Sequence, residues 1–223
     1  MFLDWLFPIY HLPELLRGAA VTLETSAAAF LFSFFLGMLF AIVRFHRRPL
    51  VLYPIVTAFV EVFRNTPLLV QLFFIYFGFP QFGIMLSPMQ AGMLGLVANS
   101  ASYYSEILRG GIQSIPKGQW EAADCLGLSR PQVFTRIICP QVIRDTFPSI
   151  TNQMVLVIFG TSVLSILDVK ELTQVASILN SQSFRSMEIF TFVMLLYYGV
   201  TTLALAVCRF CYRRWFAAKT ERR

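Results

Sequence analysis

Arg64-Asn65-Thr66-Pro67 sets a guanidinium beside a helix break inside an otherwise apolar stretch, a combination able to hold a carboxylate. Pro67 biases Thr66 away from helical angles. The backbone amides freed there could converge with the Arg64 side chain on an anion. The alternative is an Arg64–Glu61 pair on adjacent turns, snorkelling toward the interface. Gln71, Asn99, Gln153, Thr161 and Ser162 are the other polar residues set in apolar segments, where they line a cavity or bond helix to helix. Glu106 stands three residues before Arg109, the spacing of a pair on one helix face.

No catalytic constellation accompanies them. The three lysines follow Pro116, Val169 and Ala218, so the G-K-[ST] of a phosphate-binding loop cannot form. H-E-x-x-H and G-x-S-x-G are absent from the sequence. His11 and His46 lie outside the expected spans. Cys208-Arg-Phe-Cys211 has C-x-x-C spacing, but it ends an apolar run with no second cysteine pair or histidine nearby, and reads as apolar filler.

The elements that must position these residues are membrane helices. Of 223 residues 57% are hydrophobic and 13% charged, about half the charge of a soluble domain, with a mean hydropathy of +0.65. The length allows about five spans and little else, so the expectation is one membrane domain over residues 1–223. The first twenty residues lack the pattern of a secretory signal, since Asp4, His11 and Glu14 interrupt the run. Met1 to Arg17, with Trp5, Phe7 and Tyr10, reads as an interfacial segment. Spans follow at Ala19–Val43, at a stretch from Val51 to Phe79 broken at Asn65-Thr66-Pro67, and at Met89–Leu108. Two more follow at Ile137–Leu167, kinked at Pro140 and Pro148, and at Ile189–Cys208. Asp168–Glu188 is an outer loop with a short helix at Glu171–Leu179.

Charge orients this set. Fourteen of the eighteen Lys and Arg fall in three segments that an odd number of spans puts on one side. These are Arg44, Arg47 and Arg48; Arg109, Lys117, Arg130, Arg136 and Arg144; and Arg209, Arg213, Arg214, Lys219, Arg222 and Arg223. By the positive-inside rule that side is cytoplasmic, with the N-terminus outside and the C-terminus inside. The basic balance therefore reflects topology, and no nucleic-acid partner is expected.

Between the third and fourth spans, Lys117 to Gln141 is the one long interval that does not read as membrane. Gln119 to Leu126 is a helix stopped by Gly127. Ser129-Arg130-Pro131-Gln132 opens a second helix with an S-x-x-Q capping box and proline in its first turn. Glu121-Ala122-Ala123, Gly127 and Ile137-Ile138-Cys139-Pro140 together resemble the EAA loop of permease subunits of ATP-binding-cassette importers, with Cys139 in place of a leucine. Arg64 to Leu69 resembles the R-G-T-P-L-L element of polar amino acid permeases. Tyr103 to Ile112 is similar to their Y-x-x-E-I-x-R-G-G-I, Pro116 to Gln119 to P-K-G-Q, and Pro140-Gln141, Pro148 to Gln153 and Thr161-Ser162 also fit.

The resemblance implies an all-α permease of five transmembrane helices, multi-pass in a bacterial inner membrane. It implies pairing with an identical or related permease, two cytoplasmic ATPases that carry ATP and Mg²⁺, and an extracytoplasmic binding protein that delivers an amino acid. This chain would bind no cofactor itself. Glu121, Ala122, Ala123 and Gly127, within a loop of about residues 110–140, would couple to the ATPase. Arg64, Asn65, Thr66, Pro67, Gln71, Gln153, Thr161 and Ser162 would line the substrate pathway. Phe159-Gly160 replaces the family's usual Lys-Asp, and Gln153 stands where carriers of basic amino acids can have Glu, so two anionic contacts are missing. The rival reading is an ATPase-independent ion-coupled carrier or channel using Glu24, Glu61, Arg64 and Glu106. A third is a membrane scaffold for a soluble enzyme.

Overall fold

A computed structural model describes residues 4–47 and 49–214, and among them every regular element is helical. Arg48, Lys219, Arg222, Arg223 and the first three residues of the interfacial segment lie outside the described residues. A short turn of helix, α1 (Phe7–Tyr10), leads into α2 (Leu12–His46), a single helix of 35 residues. The sequence reading split this stretch into an interfacial segment and a span. The helix instead starts within the expected interface, because Pro13 lies in its first turn, where an amide has no helical acceptor to lose.

The stretch expected to break does so. α3 (Leu52–Arg64) ends at Asn65, Pro67 is extended with ψ 139°, and α4 (Leu68–Phe73) follows. α4 runs on through a π-turn at Phe74–Gly78 and a 3-10 turn at Phe79–Phe82, which closes on the left-handed Gly83. α5 (Pro88–Gln113) is followed by α6 (Lys117–Cys125) and α7 (Arg130–Val133). A π-turn at Phe134–Ile138 leads into α8 (Cys139–Gly160), which keeps Pro148 inside it and tightens to 3-10 over Thr161–Leu167. α9 (Leu172–Ser183) and α10 (Ser186–Tyr212) complete the chain.

Among the described residues three helical stretches are long and apolar enough to cross a membrane: Leu12–His46, Arg130–Leu167 and Ser186–Tyr212. The broken pair α3–α4 makes a fourth if it counts as one span. α5 is long enough, with 26 residues and about 39 Å, but Asn99, Ser100, Ser102, Ser105 and Glu106 dilute its second half.

The chain divides into two compact units, Met1–Phe30 with Pro67–Val97 and Met154–Arg223, and Leu31–Thr66 with Ala98–Gln153. In the first, Leu15, Ala19, Leu172, Ala176, Leu179, Ile189 and Val193 form one core, and Leu72, Ile75, Ala91, Leu164, Leu167 and Val169 another. Small residues let these helices close up. A Cβ on Gly95 would come within 2.6 Å of Leu72 Cδ2, and one on Gly92 within 2.8 Å of Leu164 Cγ. Glu171 caps α9, accepting from the amides of Thr173 (2.9 Å) and Gln174 (2.8 Å). Burial pushes its carboxyl above the usual range, while those amides and the Tyr197 hydroxyl at 2.9 Å pull it down.

In the second unit α2 and α5 meet at Gly37, where a Cβ would lie 2.6 Å from Tyr104 Cβ and 2.8 Å from the Ala101 carbonyl. Tyr104, fully buried, donates to the Ile150 carbonyl (3.4 Å) and so ties α5 to α8.

Candidate functional site

The EAA stretch folds as its residues dictate. α6 spans Lys117–Cys125, close to the expected Gln119–Leu126, and ends at Gly127 with φ 68°. Leu128 N donates to Ala123 O (3.2 Å) and Gly127 N to Asp124 O (3.0 Å), a Schellman closure that satisfies carbonyls the helix end would leave open. Among the described residues nothing lies within 4 Å of a Cβ built on Gly127, so conformation, not crowding, calls for glycine there. Ser129 then opens α7, its amide donating to Gln132 Oε1 at 2.9 Å. Arg130 reaches back across the corner to Asp124 at 3.7 Å.

The faces of α6 differ. Ala123 is 1% exposed and packs against its own chain, whereas Glu121, Ala122, Cys125 and Leu126 are exposed, Leu126 by 76%. Trp120 stacks on Phe45 at the end of α2 (centroids 5.9 Å apart, planes 20°), and Gln119 meets Gln141 of α8 at 2.7 Å.

Arg64 belongs to an ionic cluster that the sequence reading only partly foresaw. Glu106 accepts from Arg109 at 2.6 Å, as its spacing suggests. It also pairs with Arg44, whose side chain is 9% exposed, and lies 3.8 Å from Arg64. Glu61 does not take Arg64 as partner: it faces Arg44 at 3.4 Å and accepts from the Asn65 amide at 3.3 Å. Arg64 lies over the Tyr103 ring (5.8 Å to the centroid), and its backbone carbonyl accepts from the Tyr103 hydroxyl at 3.3 Å. Asn65 and Thr66 turn their side chains to the end of α3, donating to the carbonyls of Glu61 (2.7 Å) and Val62 (2.8 Å).

The other candidate pathway residues divide between the units. Gln153, buried, lies with Arg64, Asn65 and Thr66 in the second unit, whereas Pro67, Gln71, Thr161 and Ser162 lie in the first. Gln71 is buried. Thr161 is buried and donates to Ile158 O (2.7 Å), and Ser162 donates to Phe159 O (2.6 Å). Ser162 borders a groove of about 540 Å³ whose other wall is α10, with Tyr197, Tyr198, Thr201 and Thr202 facing it and Phe159 beside them. Among the described residues no charged side chain lines this groove. Tyr197 is fixed there by Thr173 (2.8 Å) and Glu171 (2.9 Å). None of the pathway candidates read from the sequence lies in the span at Ile189–Cys208, which forms most of α10. The overlooked signal was helical periodicity: Met194, Tyr197, Tyr198, Thr201, Thr202 and Leu205 repeat at steps of three and four.

Among the described residues no group of three or more His, Cys, Asp or Glu is placed to hold a metal ion, and Cys208 and Cys211 are unbridged, with Cys208 against Met154 Sδ at 3.3 Å.

Comparison with known proteins fits this architecture. Residues 33–222 match the family model described as "binding-protein-dependent transport system inner membrane component". A probable amino-acid ABC transporter permease protein of Sinorhizobium fredii is 36% identical over 203 residues, covering 91% of this chain and 87% of the relative. A probable glutamine ABC transporter permease protein of Bacillus subtilis is 36% identical over 203 residues, covering 89% and 93%. The solved structure of an amino acid ABC transporter with histidines superposes with a TM-score of 0.85 at 29% identity, over 96% of this chain and 100% of that one. The methionine transporter MetNI in an inward-facing form shares the fold alone, with a TM-score of 0.71 at 19% identity over 89% and 96%. This chain therefore belongs to the binding-protein-dependent transport system inner membrane components, as a permease of the amino-acid ABC importer type.

Proposed function

We propose that this permease lines the path of a polar amino acid and takes its motion from a separate ATPase seated against α6. One observation supports the coupling reading above the rest: α6 is fastened to its own chain through Ala123, Gln119 and Trp120 while it presents Glu121, Ala122 and Leu126 to solvent. An apolar Leu126 standing free beside a carboxylate suits a groove on another protein, where small Ala122 permits close approach.

In this reading one membrane domain of five spans includes α5 and the broken α3–α4 pair, with the N-terminus outside and α6 on the cytoplasmic side. The distribution of Lys and Arg supports that orientation. A second permease, identical or related, completes the pathway. Two ATPase subunits carry ATP and Mg²⁺, and an extracytoplasmic binding protein delivers the cargo. Arg64, Asn65, Thr66, Pro67, Gln71, Gln153, Thr161 and Ser162 are the pathway candidates. The uncharged groove beside Ser162 suits cargo with a neutral polar side chain better than a cationic one.

Glu121→Arg tests the assignment. The protein should reach the membrane at normal levels but lose ATP-driven uptake by an order of magnitude or more. Normal uptake would remove α6 from the coupling role. The chain reconstituted alone should pass no amino acid or ion; steady flux without ATPase would favour the carrier or channel reading.

A further inference from the structure

Gly127 is the obvious joint through which α6 would pull on the fourth span, but its surroundings are poor for carrying force. It is exposed, and among the described residues nothing lies within 4 Å of its Cβ position, so no side-chain packing braces the corner ahead of the long helix that runs from Arg130 to Leu167. A second connection bypasses it. Gln141, on the first turns of α8, donates through Nε2 to Gln119 Oε1 at 2.7 Å and to the Ile137 carbonyl at 3.0 Å. A backbone carbonyl can only accept, so it fixes which end of the Gln141 amide is nitrogen, and Gln119 receives a donor of defined direction.

The backbone between the two helices aims this contact. The π-turn at Phe134–Ile138 inserts one residue relative to α-helical winding, which rotates everything after it by about 100°. Gln141 is the third residue beyond that turn, on the part of α8 whose direction it sets. Both glutamines are half-buried, so the bond between them is shielded from competing water. Trp120, next to Gln119, is held against Phe45 at the end of α2 and limits any swing of α6 away from the bond.

We infer that Gln119 and Gln141 form a strut that makes the start of α8 move with α6, so that Gln141 is a positioning residue for energy transmission and the glycine corner is a passive return of the chain. This rests on the reading of α6 as the ATPase contact.

The experiment uses the assembled transporter, permease with its ATPase and binding protein, in proteoliposomes, with a radiolabelled mixture of the proteinogenic amino acids as cargo. Two quantities are read: cargo moved per ATP hydrolysed, and the binding-protein concentration that half-saturates uptake. Gln141→Leu and Gln119→Leu should each lower cargo per ATP about five-fold, near what one neutral hydrogen bond is worth. Half-saturation should stay where it is. The double variant should be no worse than either single one, because the two residues share one interaction. Gln119→Glu combined with Gln141→Lys should restore most of the loss through an ion pair in the same place.

Wild-type cargo per ATP in Gln141→Leu overturns the strut. So does a double variant whose loss is the product of the single losses. A fall in both readouts together with the amount of folded transporter, unrelieved by the Glu–Lys pair, would mark a merely structural contact and also overturns it. Glu121→Arg measured in parallel separates the two readings. If it uncouples while the glutamine variants do not, only the strut fails. If it too is silent, the ATPase contact on α6 fails with it.

Discussion

The two units solve the same packing problem with a different weight of ionic contacts. Leu31–Thr66 with Ala98–Gln153 is tied by ions: Glu106 takes Arg44, Arg64 and Arg109, and Glu61 takes Arg44 again. The other unit holds its helices mainly through small residues that admit leucines and through neutral hydroxyls and one capping carboxylate around Tyr197, with Asp4–Arg185 as an ion pair between distant segments. Charges in a membrane protein are expensive unless paired. Here the ionic cluster sits toward the ends of α2, α3 and α5, while the groove without a charged lining among the described residues belongs to the unit with the hydroxyl stripe. The contrast is between a region that must keep its register and a region that can present a wall to something small and polar.

The ionic side breaks hardest. Glu106→Ala leaves three guanidiniums around a vacated carboxylate and should cost about 3–5 kcal/mol, read as thermal unfolding of the detergent-purified transporter. A loss under about 1 kcal/mol would show those arginines content with water, against the surface-pair limit. The glycines sharpen the comparison next. Gly37→Ala meets the Tyr104 Cβ and a backbone carbonyl, which cannot yield, and should cost about 1–3 kcal/mol. Gly95→Ala meets the tip of Leu72, which can turn aside, and should cost less, about 1 kcal/mol. Equal losses would erase the distinction between rigid and yielding contact.

A smaller effect concerns Asp4, whose carboxyl the Arg185 guanidinium holds below its ordinary value near 3.8. A depressed carboxylate contributes stability above its unfolded pKa and loses it as pH falls through the folded one. Asp4→Asn should therefore give up a small stabilisation at neutral pH, where the pair is fully formed, change little at the acid extreme, and so flatten the acid side of the unfolding profile below about pH 4. An unchanged acid limb would take the pair out of the account. Smallest for stability is Thr201→Val with Thr202→Val. Thr201 Oγ1 is buried with no hydrogen-bond partner among the described residues, and Thr202 is exposed. The loss of both hydroxyls should therefore be neutral within about 0.5 kcal/mol, and the polarity of the groove changes through Thr202. The cargo preference measured by competition uptake should nonetheless shift toward apolar amino acids. Unaltered preference would exclude the α10 wall from cargo contact.

Local chemistry made much of this visible beforehand. Pro67 broke its helix, Gly127 took the left-handed corner, and Glu106 met Arg109, because each depends on neighbours a few residues away. Arg44 with Glu106 was not legible: 62 residues separate them, and only the packing of α2 on α5 brings them together. For the same reason Arg64 turned to Glu106 rather than to the nearer Glu61. Gln119 and Gln141 were each noticed within a motif, yet their meeting depends on the π-turn between them, which no single residue announces. The stripe on α10 could have been counted, but the absence of charge concealed its hydroxyls.

α2 carries one further consequence. Its 35 residues extend about 52 Å, some 20 Å beyond a typical hydrocarbon layer. Its ends must therefore stand among headgroups or lean steeply. Since Arg44 is paired with Glu106 near one end, α2 cannot slide past α5 to match a thinner or thicker bilayer. A mismatch is then met by the two helices tilting together or by the lipid adjusting around them.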